Sequence, residues 1–176
     1  YSKNYENTFF CFFARHLHKS FADKGRSGLL IGSPFCDVDE RLQIDALLIT
    51  DQVVCIIDFK NFSGKINLPN ERNFEMGIWT NATGDQIKGG SSINPFIQLK
   101  NQKRRFSEVY NKHIQKDLKT GDIFNPNHTV RIICFQEETE LNGRIPSNEA
   151  LNFFILDKIT FLEGLLDIID VSDKDV

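Results

Sequence analysis

Three charged residues stand inside apolar, strand-like sequence between Arg41 and Gly64: Asp45, Asp58 and Lys60. Burying ionised groups is costly unless they are paired or hold a metal. The stretch reads as a β-hairpin, Arg41 to Thr50 and Val53 to Lys60, turning at Asp51-Gln52. Alternation then groups Gln43, Asp45, Leu47 and Ile49 on one face, and Val54, Ile56, Asp58 and Lys60 on one face. With a two- or four-residue loop, Thr50 pairs with Val53, Leu47 with Ile56, and Asp45 falls opposite Asp58. A three-residue loop would break that register, and Asp-Gln is not a favoured hairpin turn pair.

Two carboxylates at roughly 5 Å repel, and a divalent cation between them reverses the sign of that interaction. Mg²⁺ takes one or two carboxylates and keeps water or phosphate oxygens as its other ligands. Asp45 and Asp58 suit such a cage, and the main-chain carbonyl of Phe59 is a candidate further ligand. Lys60, one pleat on, suits orienting a water or stabilising charge on a phosphate. The chemistry this set could do is metal-dependent cleavage of phosphodiester bonds.

The elements that must position these residues follow from periodicity. Asn4 to Ala22 reads as a helix whose apolar stripe is Phe9, Phe10, Phe13, Leu17 and Phe21. Glu6 falls on that stripe. It is either a helix-start glutamate favoured by the dipole or a carboxylate aimed into the site. A short strand is expected at Leu29 to Ile31, then an acidic loop with Asp37, Asp39 and Glu40. After the hairpin come a strand within Asn61 to Leu68, a strand over Phe74 to Thr80 and a polar loop from Asn81 to Ser92. Asn94-Pro95 is a helix start, with an Asn cap and Pro in the first turn. That helix is expected to reach about Lys119, burying Phe96, Leu99, Phe106 and Tyr110. Gln98 and Gln102 share an adjacent face, while Lys100, Lys103, Arg104 and Arg105 form a basic cluster. The cluster is a solvated helix face or a set of phosphate contacts. Val130 to Phe135 is expected as a central strand, Leu151 to Leu156 as the last one. Asp157 to Ile169 reads as a closing helix burying Ile159, Leu162, Leu165, Leu166 and Ile169.

Composition narrows the partners. A net charge of −3 and a pI near 5.8 exclude a protein that lives by wrapping nucleic acid, so any such contact needs a local patch. No apolar run is long enough to span a membrane, and the expected setting is cytoplasmic. Cys11, Cys36, Cys55 and Cys134 lie far apart without a CxxC pair and read as buried, reduced thiols. His16, His18, His113 and His128 do not complete a zinc site.

An aspartate followed by a strand carrying Asp-x-Lys resembles the PD-(D/E)xK nucleases, and within them the nuclease-related (NERD) domain. The resemblance rests on Gln43-Ile44-Asp45, on Ile57-Asp58-Phe59-Lys60-Asn61 with Gly64 after it, on Gly77-Ile78-Trp79-Thr80, and on Asn94-Pro95 followed by Gln98. It implies an α/β, restriction-endonuclease-like αβββαβ core with a central mixed sheet flanked by helices. It further implies that Glu6 matches the first-helix acid and Gln98 the glutamine facing the site, alongside Asp45, Asp58 and Lys60. One departure is that the family more often has Glu where Asp58 stands.

The expectation is one such domain over 1–170, a piece of a longer chain, with a charged tail over 171–176. Its activity would be Mg²⁺- or Mn²⁺-dependent hydrolysis of single- or double-stranded DNA, with Gln102, Lys100, Lys103, Arg104 and Arg105 touching the nucleic acid. A helicase or ATPase, fused or separate, is the expected partner, and the oligomeric state is open. The competing reading is an inactive nucleic-acid-binding or docking module attached to such a motor. The plainest is an edge-strand ion pair in an unrelated α/β domain.

Overall fold

A computed structural model describes residues 4–34, 42–119 and 124–172. The acidic loop with Asp37, Asp39 and Glu40, and Cys36 beside it, lie outside the described residues. The chain runs α1 (Asn4–Asp23), β1 (Leu29–Gly32), β2 (Ala46–Ile49), β3 (Val54–Lys60), β4 (Gly64–Asn67), β5 (Trp79–Asn81) and β6 (Gln86–Ile87). It continues through α2 (Pro95–Val109), β7 (Val130–Phe135), β8 (Thr139–Asn142), β9 (Phe153–Leu156) and α3 (Phe161–Ser172).

The main sheet has the order β1-β2-β3-β7-β9. Its first three strands are antiparallel neighbours, and β3, β7 and β9 run parallel. The expected mixed αβββαβ core is therefore present, as α1, β1, β2, β3, α2 and β7. Helices cover both faces of β3, which explains its almost unbroken apolar run. On one face α1 and α3 pack Phe9, Phe13, Phe161 and Leu165 against Ala46, Leu48, Cys55, Ile57, Phe59 and Ile132. On the other, Phe96, Leu99 and Phe106 of α2 meet Leu47, Val54, Ile56 and Ile133, together with Ile66, Trp79 and Ile87 of a second sheet. Each buried aromatic or aliphatic side chain contributes about 1.5–3 kcal/mol.

Several expected boundaries shift. The first hairpin strand begins at Ala46 rather than Arg41, because Ile44 and Leu47 join the same apolar cluster and alternation breaks at the bend between them. Phe74 is no strand residue; a 3₁₀ turn at Glu71–Asn73 precedes it, and β5 starts at Trp79. The polar loop after Asn81 holds the two-residue β6. Beyond Val109 the helix widens into a π turn over Tyr110–Ile114 and then a 3₁₀ turn, short of Lys119. Tyr110 at its start is buried against Phe106 and Phe124, but Ile114 further on is 41% exposed, so the apolar stripe that would carry the α-helix on to Lys119 runs out. The last strand starts at Phe153, and the closing helix begins at Phe161 and extends to Ser172, leaving Ile159 exposed. Cys55 and Cys134 are buried thiols, whereas Cys11 is exposed on α1. Among the described residues no helix is long and apolar enough to cross a membrane.

Candidate active site

The β2–β3 register is the expected one: Leu47 faces Ile56, Ile49 faces Val54, and Thr50 N–H donates to Val53 O at 3.0 Å. The unfavoured Asp-Gln turn is held by Thr50, whose Oγ1 accepts from Gln52 N and Val53 N at 3.2 and 2.9 Å. The last ladder pair is Ala46 with Ile57, so the next residues, Asp45 and Asp58, meet where β2 has just ended. There the Asp45 carboxylate replaces a main-chain partner. Its Oδ2 accepts from Phe59 N–H at 2.8 Å. The Asp45 backbone is held from the other side by Ser33 N–H, 2.7 Å from its carbonyl, and Ser33 adopts a φ of +48° to reach it. A non-glycine residue in that region is uncommon and strained.

Asp58 is nearly sealed from solvent on the α2 face of β3. Its Oδ1 accepts from Gln98 Nε2 at 2.7 Å, and Gln98 Oε1 accepts from Lys60 Nζ at 2.9 Å. Lys60 Nζ also lies 2.7 Å from Asp58 Oδ2, a close ion contact rather than a well-directed hydrogen bond. Gln98 thus spans an ammonium and a carboxylate. Only one orientation of its amide satisfies both.

Burial pushes the Asp45 carboxyl up to about 7, with repulsion from Asp58 next in size and Glu6 adding to it. The Phe59 N–H and the Lys60 charge pull the other way. Glu6 is therefore close enough to Asp45 to be felt, and it is buried on α1. The structure brings Asp45, Asp58, Lys60, Gln98 and Glu6 to one end of β3.

Placement of α2 depends on Asn94. Its Oδ1 caps the helix by accepting from Ile97 N at 2.9 Å, and its Nδ2 donates to Glu75 O and Gly77 O, each at 2.8 Å. Gly89 packs so closely on Asn94 O and Gln98 Cβ that a Cβ there would collide with both. The Gly77-Ile78-Trp79-Thr80 motif is thus explained by structure, as a seat for the start of α2.

The rest of the α2 residues spread out. Gln102 is buried and donates to the main-chain carbonyl of Gln43, steadying the segment that leads into Asp45. Lys100 pairs with Glu75 at 2.5 Å and Arg104 with Glu108 at 2.6 Å. Lys103 donates to Asn127 O, and burial followed by Arg131 lowers its pKa. Arg105 is half-buried. Of these four cations Lys100 and Arg104 are exposed, and Lys103 and Arg105 are half-buried.

Among the described residues no three His, Cys, Asp or Glu side chains converge as a ready-made ligand set. Mg²⁺ does not require one. A carboxylate whose charge is disfavoured by burial and by Asp58 beside it, with Asp58 Oδ2 buried and lacking a directed hydrogen bond among the described residues, fits a hydrated divalent cation.

Gln98→Glu is expected to destabilise the fold by about 1–3 kcal/mol, since the buried Asp58 oxygen loses its donor. The urea midpoint should fall with an unchanged m-value. An unchanged midpoint would mean the amide bond to Asp58 contributes nothing.

Sequence patterning missed two features here. The Gln102 clamp joins positions far apart in the chain, and Asn94 was legible as a cap but not as a double donor. Comparison with curated proteins and with solved structures gives no match. A family model does match, over residues 12–135, and the span includes Asp45, Asp58, Lys60 and Gln98 while leaving Glu6 outside. With more than half its length so matched, the chain belongs to the nuclease-related domain (NERD) family.

Proposed function

We propose that this chain is a Mg²⁺- or Mn²⁺-dependent nuclease domain that hydrolyses DNA phosphodiester bonds. The observation that carries the reading is the Asp58–Lys60–Gln98 triangle beside Asp45, an ammonium fixed against the buried Asp58 carboxylate at the end of a strand. Asp45 and Asp58 would hold the cation. The Phe59 carbonyl leaves β3 on the same edge as the N–H that Asp45 accepts, which favours it as a further ligand, and Glu6 is near enough to bind directly or through water. When bound, the cation supplies Lewis-acid activation of water and charge neutralisation at phosphate.

The protein's own groups do the rest. Gln98 takes one of the three N–H groups of Lys60 and Asp58 holds the ammonium by ion contact, so a third donor is left for substrate. That third donor suits the non-bridging phosphate oxygen on which charge grows as water attacks phosphorus and the ester oxygen leaves. Gln98 bonds to both Asp58 and Lys60 and so fixes the ion pair in one orientation. Lys100, Lys103, Arg104, Arg105 and Gln102 lie on or under the helix that flanks this site, the exposed ones in reach of flanking phosphates. An inactive docking module has no use for a buried Asp58 with Asp45 and Lys60 half-buried beside it, so catalysis is the better reading.

Linear, nicked and single-stranded DNA incubated with purified protein and Mg²⁺ or Mn²⁺ tests it. Lys60→Ala should cut roughly a hundred- to a thousandfold more slowly. Cleavage by Lys60→Ala or Asp58→Ala at the parent rate would overturn the assignment.

A further inference from the structure

Gln136 follows directly on β7, and its backbone N–H donates to the carbonyl of Lys60 at 2.9 Å. Lys60 pairs with Phe135 in the β3–β7 register, so Gln136 sits one residue past the end of the parallel ladder, beside the candidate site. Ligands of open α/β sheets bind at the carboxyl ends of parallel strands. Strand parity places Gln136 on the face of Cys134 and Phe59, the one covered by α1, and not on the α2 face of Asp58. The residue is 6% exposed, and among the described residues Nε2 has no hydrogen-bond partner.

A buried amide donor without an acceptor is destabilising, and orphaned groups of this kind require an explanation such as a role in binding or catalysis. A leucine of similar volume would serve packing better. We infer that Gln136 is a substrate-contacting residue, its Nε2 donating to a phosphate oxygen of the bound strand from the α1 side while Lys60 and Gln98 act from the α2 side. This deepens the nuclease reading and rests on it. The acceptor is anionic, so the bond belongs to the stronger class, but the amide is neutral and releases no counterion.

Gln136→Leu and Gln136→Glu, assayed on a linear DNA duplex with Mg²⁺, test the inference. Gln136→Leu should melt no lower than the parent, because it removes an unpaired polar group. Its KM should rise roughly ten- to a hundredfold, as for loss of one hydrogen bond to a charged group, with kcat nearly unchanged. The dependence of binding on salt should keep its slope, unlike the loss of a lysine–phosphate contact. Gln136→Glu, which places a carboxylate against phosphate, should raise KM further. Parent-like KM in Gln136→Leu, with the parent cutting, overturns this inference alone. A clear drop in melting temperature overturns it too, by showing that the amide holds the fold. If the parent does not cut DNA with either metal, the nuclease reading fails and this inference falls with it.

Discussion

Asp45→Asn is expected to yield a protein more stable than the parent above pH 7 and unable to cut DNA. The Asp45 carboxyl is raised from 3.8 to about 7, first by burial and then by Asp58. Between those values the folded chain holds a proton that the unfolded chain has released, so stability falls as pH rises through that window. Roughly two units of that shift lie between pH 5 and 8, worth about 2–3 kcal/mol. Asparagine keeps an oxygen to accept the Phe59 N–H but carries no charge, so this part of the slope should vanish. Urea denaturation of both proteins in chelator at pH 5 and pH 8 reads the difference. Parallel pH dependences would show that Asp45 is not strained by its neighbours. Adding Mg²⁺ at pH 8 should stabilise the parent, by mass action on the folded state, and leave Asp45→Asn nearly unmoved. The same measurement separates binding of the cation from catalysis, because it needs no turnover.

Why Asp45 carries that strain was partly legible from residue types alone. The pairing of Asp45 with Asp58 is a local matter of turn length and parity, and the antiparallel ladder from Ala46 to Ile49 keeps that parity. What parity could not reveal is that β2 stops one residue short, so that Asp45 uses its side chain where a ladder residue would use its backbone. The αβββαβ order was legible because α1 and α2 carry helical apolar stripes and β3 and β7 are nearly continuous apolar runs. β8 was not, since Thr139–Asn142 is polar, mostly exposed and paired only at the edge of the second sheet. Gln102 looked like a surface neighbour of Gln98 and is instead buried beneath α2, on a contact that spans 59 residues. Gln136 offered one signal, a polar residue closing the apolar run Val130–Phe135, and its meaning depends on the long-range pairing of β7 with β3.

The position of Gln98 rests on Asn94, one helical turn before it, whose side chain bonds to Glu75, Gly77 and Ile97. Asn94→Asp should therefore be severe, although it preserves a good helix cap. Asn94 is fully buried, and its Nδ2 supplies both of its N–H groups to Glu75 O and Gly77 O. An aspartate in its place can still accept from Ile97 N–H, but it turns a carboxylate oxygen toward two carbonyl oxygens in a site closed to water. Losing two buried hydrogen bonds and gaining an uncompensated charge should cost roughly 3–5 kcal/mol. Protonation would restore one donor, so part of the loss should return as pH falls toward 4. Asn94→Ser, which keeps the cap without the charge, should cost less and show no such pH dependence. Chemical denaturation of the three proteins at pH 4.5 and 7.5 discriminates these outcomes, and an Asn94→Asp protein within about 1 kcal/mol of the parent would refute the account. Activity should fall together with stability. Gly89 wedges against both Asn94 O and Gln98 Cβ, so the start of α2 cannot move without carrying Gln98 away from Asp58 and Lys60.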